Sequence, residues 1–248
     1  MLNPEPSALS PDQRDPRARL VALIEVLLCS GYPTQIAIGT TLSALGFAAE
    51  SSPGHIRIGF IVGISMADSV AVIGLVLLFL RTHGERPRDV LLGDRPPLRE
   101  ALAGLPLIVA SLGIAALALT VIQHVAPGLH NVEKNPLQEL MKSPSNAALF
   151  VLVALVAGGL REEIQRAFLL HRFDAWLGGG AVGVVVTSVA FGAGHLIQGL
   201  DAALATGLLG AFWGSIYLRR RSMVAPLVSH AGFDVLQILA QVLNVASR

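Results

Sequence analysis

The sequence predicts an all-α protein: a polytopic membrane bundle of about seven transmembrane helices, or eight if the first span is broken. Three observations predict it. Hydrophobic residues make up 53% of the chain and charged residues 14%, against roughly 25% charged in a soluble domain, and the mean hydropathy is +0.63. Seven stretches approach the roughly 20 apolar residues that carry a helix across the hydrocarbon core. The basic residues lie unevenly between alternate loops. This balance excludes a soluble globular domain, a disordered chain and a nucleic-acid-binding module. A net charge of +1 provides no global field for an acidic partner.

Residues 1–19 hold Pro4, Pro6, Pro11 and Pro16 and are expected to form a flexible tail. No short apolar core with a small-residue cleavage site follows, so no cleavable signal peptide is expected. Residues 20–248 are expected to form one bundle, with its chemistry in a core at 148–246. The spans are placed at 20–47, 58–80, 104–126, 148–171, 180–199, 202–218 and 223–246. Gly31 and Pro33 interrupt the first and are expected to kink or break it. The loop at 82–103, with Pro87, Pro96 and Pro97, is expected to lie partly on the membrane surface. The fifth and sixth spans, joined by a short turn around Gly199–Asp201, form an antiparallel hairpin. Gly210 and Gly214 form a G-xxx-G pair, a signal for close helix packing. The one cysteine, Cys29, excludes an internal disulfide and reads as a small buried hydrophobe.

Charge sets the orientation. Arg14, Arg17, Arg19, Arg81, Arg86, Arg88, Arg95, Arg99, Arg172, Arg219, Arg220 and Arg221 fall on one side, against Arg57, Lys134, Lys142 and Arg248 on the other. The positive-inside rule puts the N-terminus in the cytoplasm and, with an odd number of spans, the C-terminus outside. The strong preference for arginine over lysine fits a GC-rich bacterial genome, hence a bacterial inner membrane.

The polar residues inside these spans carry the chemistry. The fourth span contains Arg161-Glu162-Glu163-Ile164-Gln165-Arg166. Each ionisable group at the centre of a membrane helix costs roughly 2.5–3.5 kcal/mol, so four facing lipid would cost on the order of 10 kcal/mol. They must therefore face protein or a wet cavity. Glu162 and Arg166 are spaced i,i+4, and Glu163 and Arg166 i,i+3, so Arg166 can hold either glutamate. Adjacent positions diverge by about 100°, so one glutamate can pair while the other faces a cavity. A purely structural ion cluster is the alternative. The fifth span carries Phe191-Gly-Ala-Gly-His195, where small residues allow a close neighbour. The seventh carries His230 and Asp234 at i,i+4, where Asp234 can accept a hydrogen bond from the imidazole; a self-satisfied packing pair is the alternative. At about 1.5 Å per residue, Glu162 lies about 15 Å from Arg172 and His230 about 14 Å from Arg221. His195 lies about 22 Å from Gly180 on the same count, so the fifth span must start late, tilt or bend for the three to converge. Glu25 and Asp68 are further intramembrane acids, able to line the cavity or to join helices. Asp201 is expected to cap a helix, His55, His83 and His130 to be solvated in loops, and His124 and His171 to be interfacial.

Glu-Glu with a nearby Arg, then Phe-xxx-His, then His-xxx-Asp, in this order on late membrane helices, resembles the CPBP family. These are the CAAX-protease and bacteriocin-processing proteins, also called Abi, of glutamate-type intramembrane proteases. The resemblance covers about 150–238, including Ala-Pro-Leu-Val-Ser-His at 225–230. It implies an intramembrane endopeptidase in which Glu162 or Glu163 with His195 activates water. It further implies that His230 and Asp234 serve the oxyanion side and that Arg166 holds the glutamate pair. No cofactor and no metal are implied. The implied partners are the lipid bilayer and a membrane-bound protein or peptide substrate, such as one that is lipidated or carries a C-terminal sorting signal.

Two departures stand out. The family pattern is Glu-Glu-xxx-Arg, whereas this chain has Glu-Glu-xx-Arg. A gapless match to Arg166 puts Arg161 where the first glutamate belongs. Arginine stays protonated and cannot act as a base, so Glu162 is preferred, after a local helix adjustment, with Glu163 second. Asp234 replaces asparagine, and an ionised Asp donates no hydrogen bond; it must be protonated or instead orient His230. Three other readings use the same residues. In a zinc site, one carboxylate and two histidines would be ligands, although no His-Glu-xx-His is present. A proton-coupled transporter would use them as a relay, although no repeated halves are visible. A non-catalytic membrane scaffold is the third.

Overall fold

Ionisable side chains that lipid cannot solvate should gather at the centre of such a bundle, and the helix carrying most of them should be its hub. A computed structural model describes residues 15–47, 49–52, 55–132, 135–141 and 143–246. The helices are α1 (Pro16–Leu28), α2 (Tyr32–Ala44), α3 (Ile58–Thr82), α4 (Pro87–Leu91), α5 (Pro97–Val125), α6 (Pro136–Leu140), α7 (Pro144–Val153), α8 (Glu162–Trp176), α9 (Gly180–Ala193), α10 (Leu200–Arg220) and α11 (Val224–Ala246). A π-helical segment, Ala154–Arg161, joins α7 to α8. Strands β1 (Glu50–Ser52) and β2 (His55–Ile56) pair before α3. The fold is all-α apart from this small hairpin.

The hub is α8, which packs on α1, α3, α4, α9 and α10. It buries Glu163, Gln165, Arg166 and Arg172 together with Ile164, Ala167, Phe168, Leu170 and Phe173. By contrast, α5 and α9 leave Val109, Leu117, Val185 and Val189 exposed on their outer faces, as lipid-facing helices do.

Three helices, α3, α5 and α11, are long and apolar enough to cross a membrane, and α1 with α2, bent by 42° at their break, make a fourth if they are one span. The predicted break is therefore present. Gly31 adopts φ +85° there, a conformation in which a side chain would be strained. Other boundaries moved. Asp15 caps α1 through the Arg17 amide, so helix begins at Pro16 rather than at residue 20. Residues 1–14, including Arg14, and Lys134, Lys142 and Arg248 lie outside the described residues. α5 begins at Pro97, not 104, because Glu100 in its first turn is buried and paired with Arg220 (Nε–Oε2 2.6 Å). α9 has 14 residues, about 21 Å, and stops at Ala193 rather than 199. Its tail becomes a 3₁₀ turn, Leu196–Gln198, which makes the hairpin with α10.

That hairpin is close-packed through small residues. A Cβ on Gly192 would lie 2.6 Å from the Ala203 carbonyl oxygen, and one on Gly210 would lie 3.0 Å from Phe191. The arginine-rich loops share one end of the molecule. Arg172 binds Glu85 at 2.6 Å, Arg221 binds Asp174 at 2.8 Å, and Arg19 reaches the Trp176 carbonyl at 3.2 Å.

Candidate active site

The π segment sets the register of the two glutamates. A π turn closes i→i+5 rather than i→i+4, so residues on either side of it are rotated relative to a continuous α-helix. The segment ends on Arg161, and α8 opens with Glu162 and Glu163. The glutamates then part. The Glu163 side chain is 1% exposed and pairs with Arg166 and with His230 Nδ1 (2.8 Å). The Glu162 side chain is 18% exposed. It lies 3.7 Å from Arg161 Nη1 and 3.8 Å from His230 Nε2. Arg166 thus holds one glutamate, Glu163, and leaves Glu162 on the cavity.

His230 is buried against Trp213, with ring centroids 3.9 Å apart and planes 20° from parallel. The Trp213 indole N–H donates to Ser229 Oγ at 3.1 Å, which locks the platform. With Nδ1 on Glu163, Nε2 is the nitrogen that faces Glu162 and Asp234. Asp234 Oδ2 stands 3.7 Å from Nε2, beyond hydrogen-bond length. Glu163, not Asp234, therefore orients this imidazole, which corrects the expectation from the i,i+4 spacing. Two glycines let α11 come this near. A Cβ on Gly158 would lie 2.6 Å from Asp234 Oδ2, and one on Gly159 would lie 2.9 Å from Ala231 Cβ.

His195 follows the C-cap of α9, Gly194. Its Nδ1 lies 2.8 Å from the Phe191 carbonyl oxygen and donates to it, leaving Nε2 free to accept. The helix starts at Gly180, so it does not start late as the depth count allowed, and it ends before His195, which still borders the same cavity as Glu162 and His230. Phe191 meets the His195 ring edge-on at 4.9 Å and stands under the Arg166 guanidinium at 4.8 Å. Among the described residues, no hydrogen bond or ion pair joins His195 to either glutamate.

Two cavities meet here. One, of about 630 Å³, is bordered by Tyr32, Ile64, Asp68, Glu162 and His195. The other, of about 470 Å³, is bordered by Glu162, His195, Trp213, His230, Asp234 and Gln237. Arg161, Glu162, Phe191 and His195 line both. Among the described residues, no three His, Cys, Asp or Glu side chains are grouped as they would be to hold a metal ion.

Arg161 turns toward the N-terminal helices. Its Nη2 binds Asp68 Oδ2 at 2.6 Å and its Nη1 binds Gln165 Oε1 at 2.9 Å. Thr34 Oγ1 donates to the other Asp68 oxygen, and Gln35 Nε2 lies 3.3 Å from Oδ2. Gln165 Nε2 donates to the Cys29 carbonyl at 2.8 Å.

All six candidate residues from the sequence are accounted for. Glu162, His195, His230 and Asp234 reach one cavity, while Glu163 and Arg166 sit behind it. Sequence reasoning missed Trp213 as the histidine platform; an indole deep within a span, away from the interface where tryptophan gathers, was the available signal. It also left the Asp68–Arg161 pair unmatched. Glu25 belongs elsewhere, bound to Arg172 Nε and His83 Nε2, each at 2.6 Å. His83 and His130 are not simply solvated, since each faces a carboxylate, Glu25 and Asp201 respectively, and His171, expected at the interface, binds Glu85. The His55 side chain lies outside the described residues. Asp201 does not cap α10 as expected: Gly199 holds that position without a side-chain cap bond, and Asp201, inside the first turn, accepts from the Ala202 amide at 2.8 Å and faces His130.

No curated protein and no solved structure matches the chain. A family model does, that of the Rce1-like type II CAAX prenyl endopeptidases, over residues 144–236. This stretch runs from α7 through the first half of α11 and contains every candidate site residue. The family is one of proteases, which supports an enzyme, an integral membrane setting and a peptide or protein substrate. Over residues 144–236 the chain is therefore similar to the Rce1-like CAAX endopeptidases, in agreement with the CPBP resemblance of its three motifs.

Proposed function

We propose that this protein is a glutamate-type, metal-independent intramembrane endopeptidase. It hydrolyses a peptide bond in a membrane-associated protein or peptide. The observation that carries this reading is that Glu162, His195, His230 and Asp234 line one cavity while Glu163 and Arg166 are paired behind it. The cavity that Glu162 and His195 both border, about 470 Å³, has room for a water, since a water occupies roughly 30 Å³. Glu162 takes a proton from that water, with His195 Nε2 as the second acceptor. The oxygen attacks the scissile carbonyl carbon and leaves a tetrahedral oxyanion on the side of His230 and Asp234, where, with His230 Nδ1–H given to Glu163, the donor is a protonated Asp234 carboxyl or the Nε2–H of a cationic His230. Collapse breaks the C–N bond, and the proton held by Glu162 passes to the departing amine. An oxyanion donor in such a site contributes roughly 2.7–4 kcal/mol.

The remainder of the reading is a bacterial inner membrane, one bundle of seven spans with a cytoplasmic N-terminus, and a substrate carrying a lipid or a C-terminal sorting signal. The arginine-rich end and the similarity to CAAX prenyl endopeptidases support it. The test uses purified protein and a fluorogenic peptide with a prenylated CAAX end, alongside a comparison of membrane-protein termini between a deletion strain rescued by wild type and one rescued by Glu162→Gln. Loss of the proton acceptor should lower kcat on the order of 10²–10⁴-fold, activity should survive chelator, and defined new termini should appear only with wild type. Arg161 at the motif's first position favours one other reading, a non-catalytic scaffold. Identical termini and no cleavage by wild type would establish that instead.

A further inference from the structure

We propose that Asp68, on α3 and outside the family-matched stretch, is a positioning residue for Glu162: it holds the Arg161 guanidinium away from the glutamate. This rests on Glu162 being the proton acceptor.

The chain has placed a permanent cation next to that acceptor. Arg161 immediately precedes Glu162, is itself buried, and cannot discharge by losing a proton. Its Nη1 stands 3.7 Å from Glu162 Oε1. A guanidinium at that distance needs only a small side-chain rotation to bond a carboxylate directly. A glutamate bonded in that way is held off the water it must deprotonate, and part of its charge is cancelled.

Asp68 prevents this by competition. Its carboxylate is fully buried and takes Arg161 Nη2 at 2.6 Å. The carboxylate is itself fixed, since Thr34 and Gln35 on α2 both donate to it. Gln165 takes Nη1 at 2.9 Å and is anchored on the Cys29 carbonyl. The guanidinium is thus held by α3 and by a residue one turn along α8. The charged groups facing Glu162 are then Arg161 from the π segment, and His230 and Asp234 from α11, with Glu163 and Arg166 paired on α8. Among the described arginines and lysines, Arg161 is the one within 4 Å of Glu162, and Asp68 decides where it points. This gives the N-terminal helices a part in the chemistry although no predicted catalytic residue lies on them.

The experiment measures kcat and KM for Asp68→Asn, Asp68→Asn/Arg161→Met and Glu162→Gln on the prenylated peptide, each at matched amounts of folded, monodisperse protein. Asp68→Asn releases Arg161 to Glu162, and kcat should fall at least tenfold with KM within twofold of wild type. The double variant removes the cation as well, and kcat should return to within threefold of wild type. A wild-type kcat in Asp68→Asn overturns the inference. So does a rise in KM with kcat unchanged, which would make Asp68 a substrate contact. If Asp68→Asn does not fold, the double variant alone decides: activity near wild type supports the inference, and a folded but inactive double variant overturns it. Glu162→Gln separates the two levels. If it keeps kcat, the proposed function fails; if it is inactive while Asp68→Asn is wild type, this inference alone fails.

Discussion

At the scale of the residue, Glu162 and Glu163 are neighbours with opposite environments. Glu163 is enclosed between Arg166 and His230, whereas Glu162 opens on both cavities. Removing one member of a buried pair leaves the other charge uncompensated, which costs about 3–5 kcal/mol. Glu163→Gln should therefore lower unfolding stability by about that amount, as read by thermal melts in detergent. Glu162→Gln should melt within about 1 kcal/mol of wild type while losing cleavage. Equal melting losses in both variants would contradict this division. The i,i+3 and i,i+4 spacings to Arg166 were legible in the sequence, but not the choice between them. That choice depends on the rotation introduced by the π segment and on His230, which is 67 residues away. Trp213 was hidden for a similar reason, because its partner is on another helix.

At the scale of the element, the site depends on two departures from regular helix. One is the π segment 154–161 against α11, and the other is the early end of α9. Motif spacing called for a local adjustment before Glu162, and the depth count called for a late start, a tilt or a bend in the fifth span. Neither argument gave its form, because a π turn and a 3₁₀ end arise from packing rather than from local propensity. Gly158 and Gly159 test the first departure separately. A methyl at Gly159 meets Ala231 Cβ at 2.9 Å, a contact that only a backbone shift relieves. Gly159→Ala should push α11 outward, move His230 off Trp213, and cost about 1–3 kcal/mol of stability together with most activity. A methyl at Gly158 meets only the end of the Asp234 side chain, which can swing aside. Gly158→Ala should keep near-wild-type melting, and its kcat then reports how much Asp234 contributes. If Gly159→Ala melts and cleaves like wild type, the close approach of α11 to the π segment is not what places His230.

For the whole molecule, hydropathy marked the apolar helices, of which three, or four with α1 and α2 as one span, are long and apolar enough to cross a membrane, and the arginine count grouped the loops that share an end. They could not show how that end is held together. The Glu25–Arg172–Glu85–His171 chain joins α1, α8 and the loop after α3, with each link at 2.6 Å, and His83 closes onto Glu25. Its partners are 58 to 147 residues apart in sequence, so no local pattern reveals them. The loop member, Glu85, makes this latch sensitive to acid. Burial by itself would raise its carboxyl, but the hydrogen bonds and charges of His171 and Arg172 outweigh that and bring it down from 4.5 to about 2. A carboxyl depressed in the folded state stabilises above its unfolded value, and that contribution is lost as pH falls through the folded one. Melting temperature should therefore drop between about pH 4.5 and 2 as Glu85 takes up its proton. Glu85→Gln should already melt lower at pH 7 and should show a shallower fall across that window. The loss should be confined to the arginine-rich end, with hydrogen exchange rising first in the loop after α3 and in the last turns of α8. An unchanged acid slope in Glu85→Gln would mean that Glu25, the other carboxylate on Arg172, carries the latch without it.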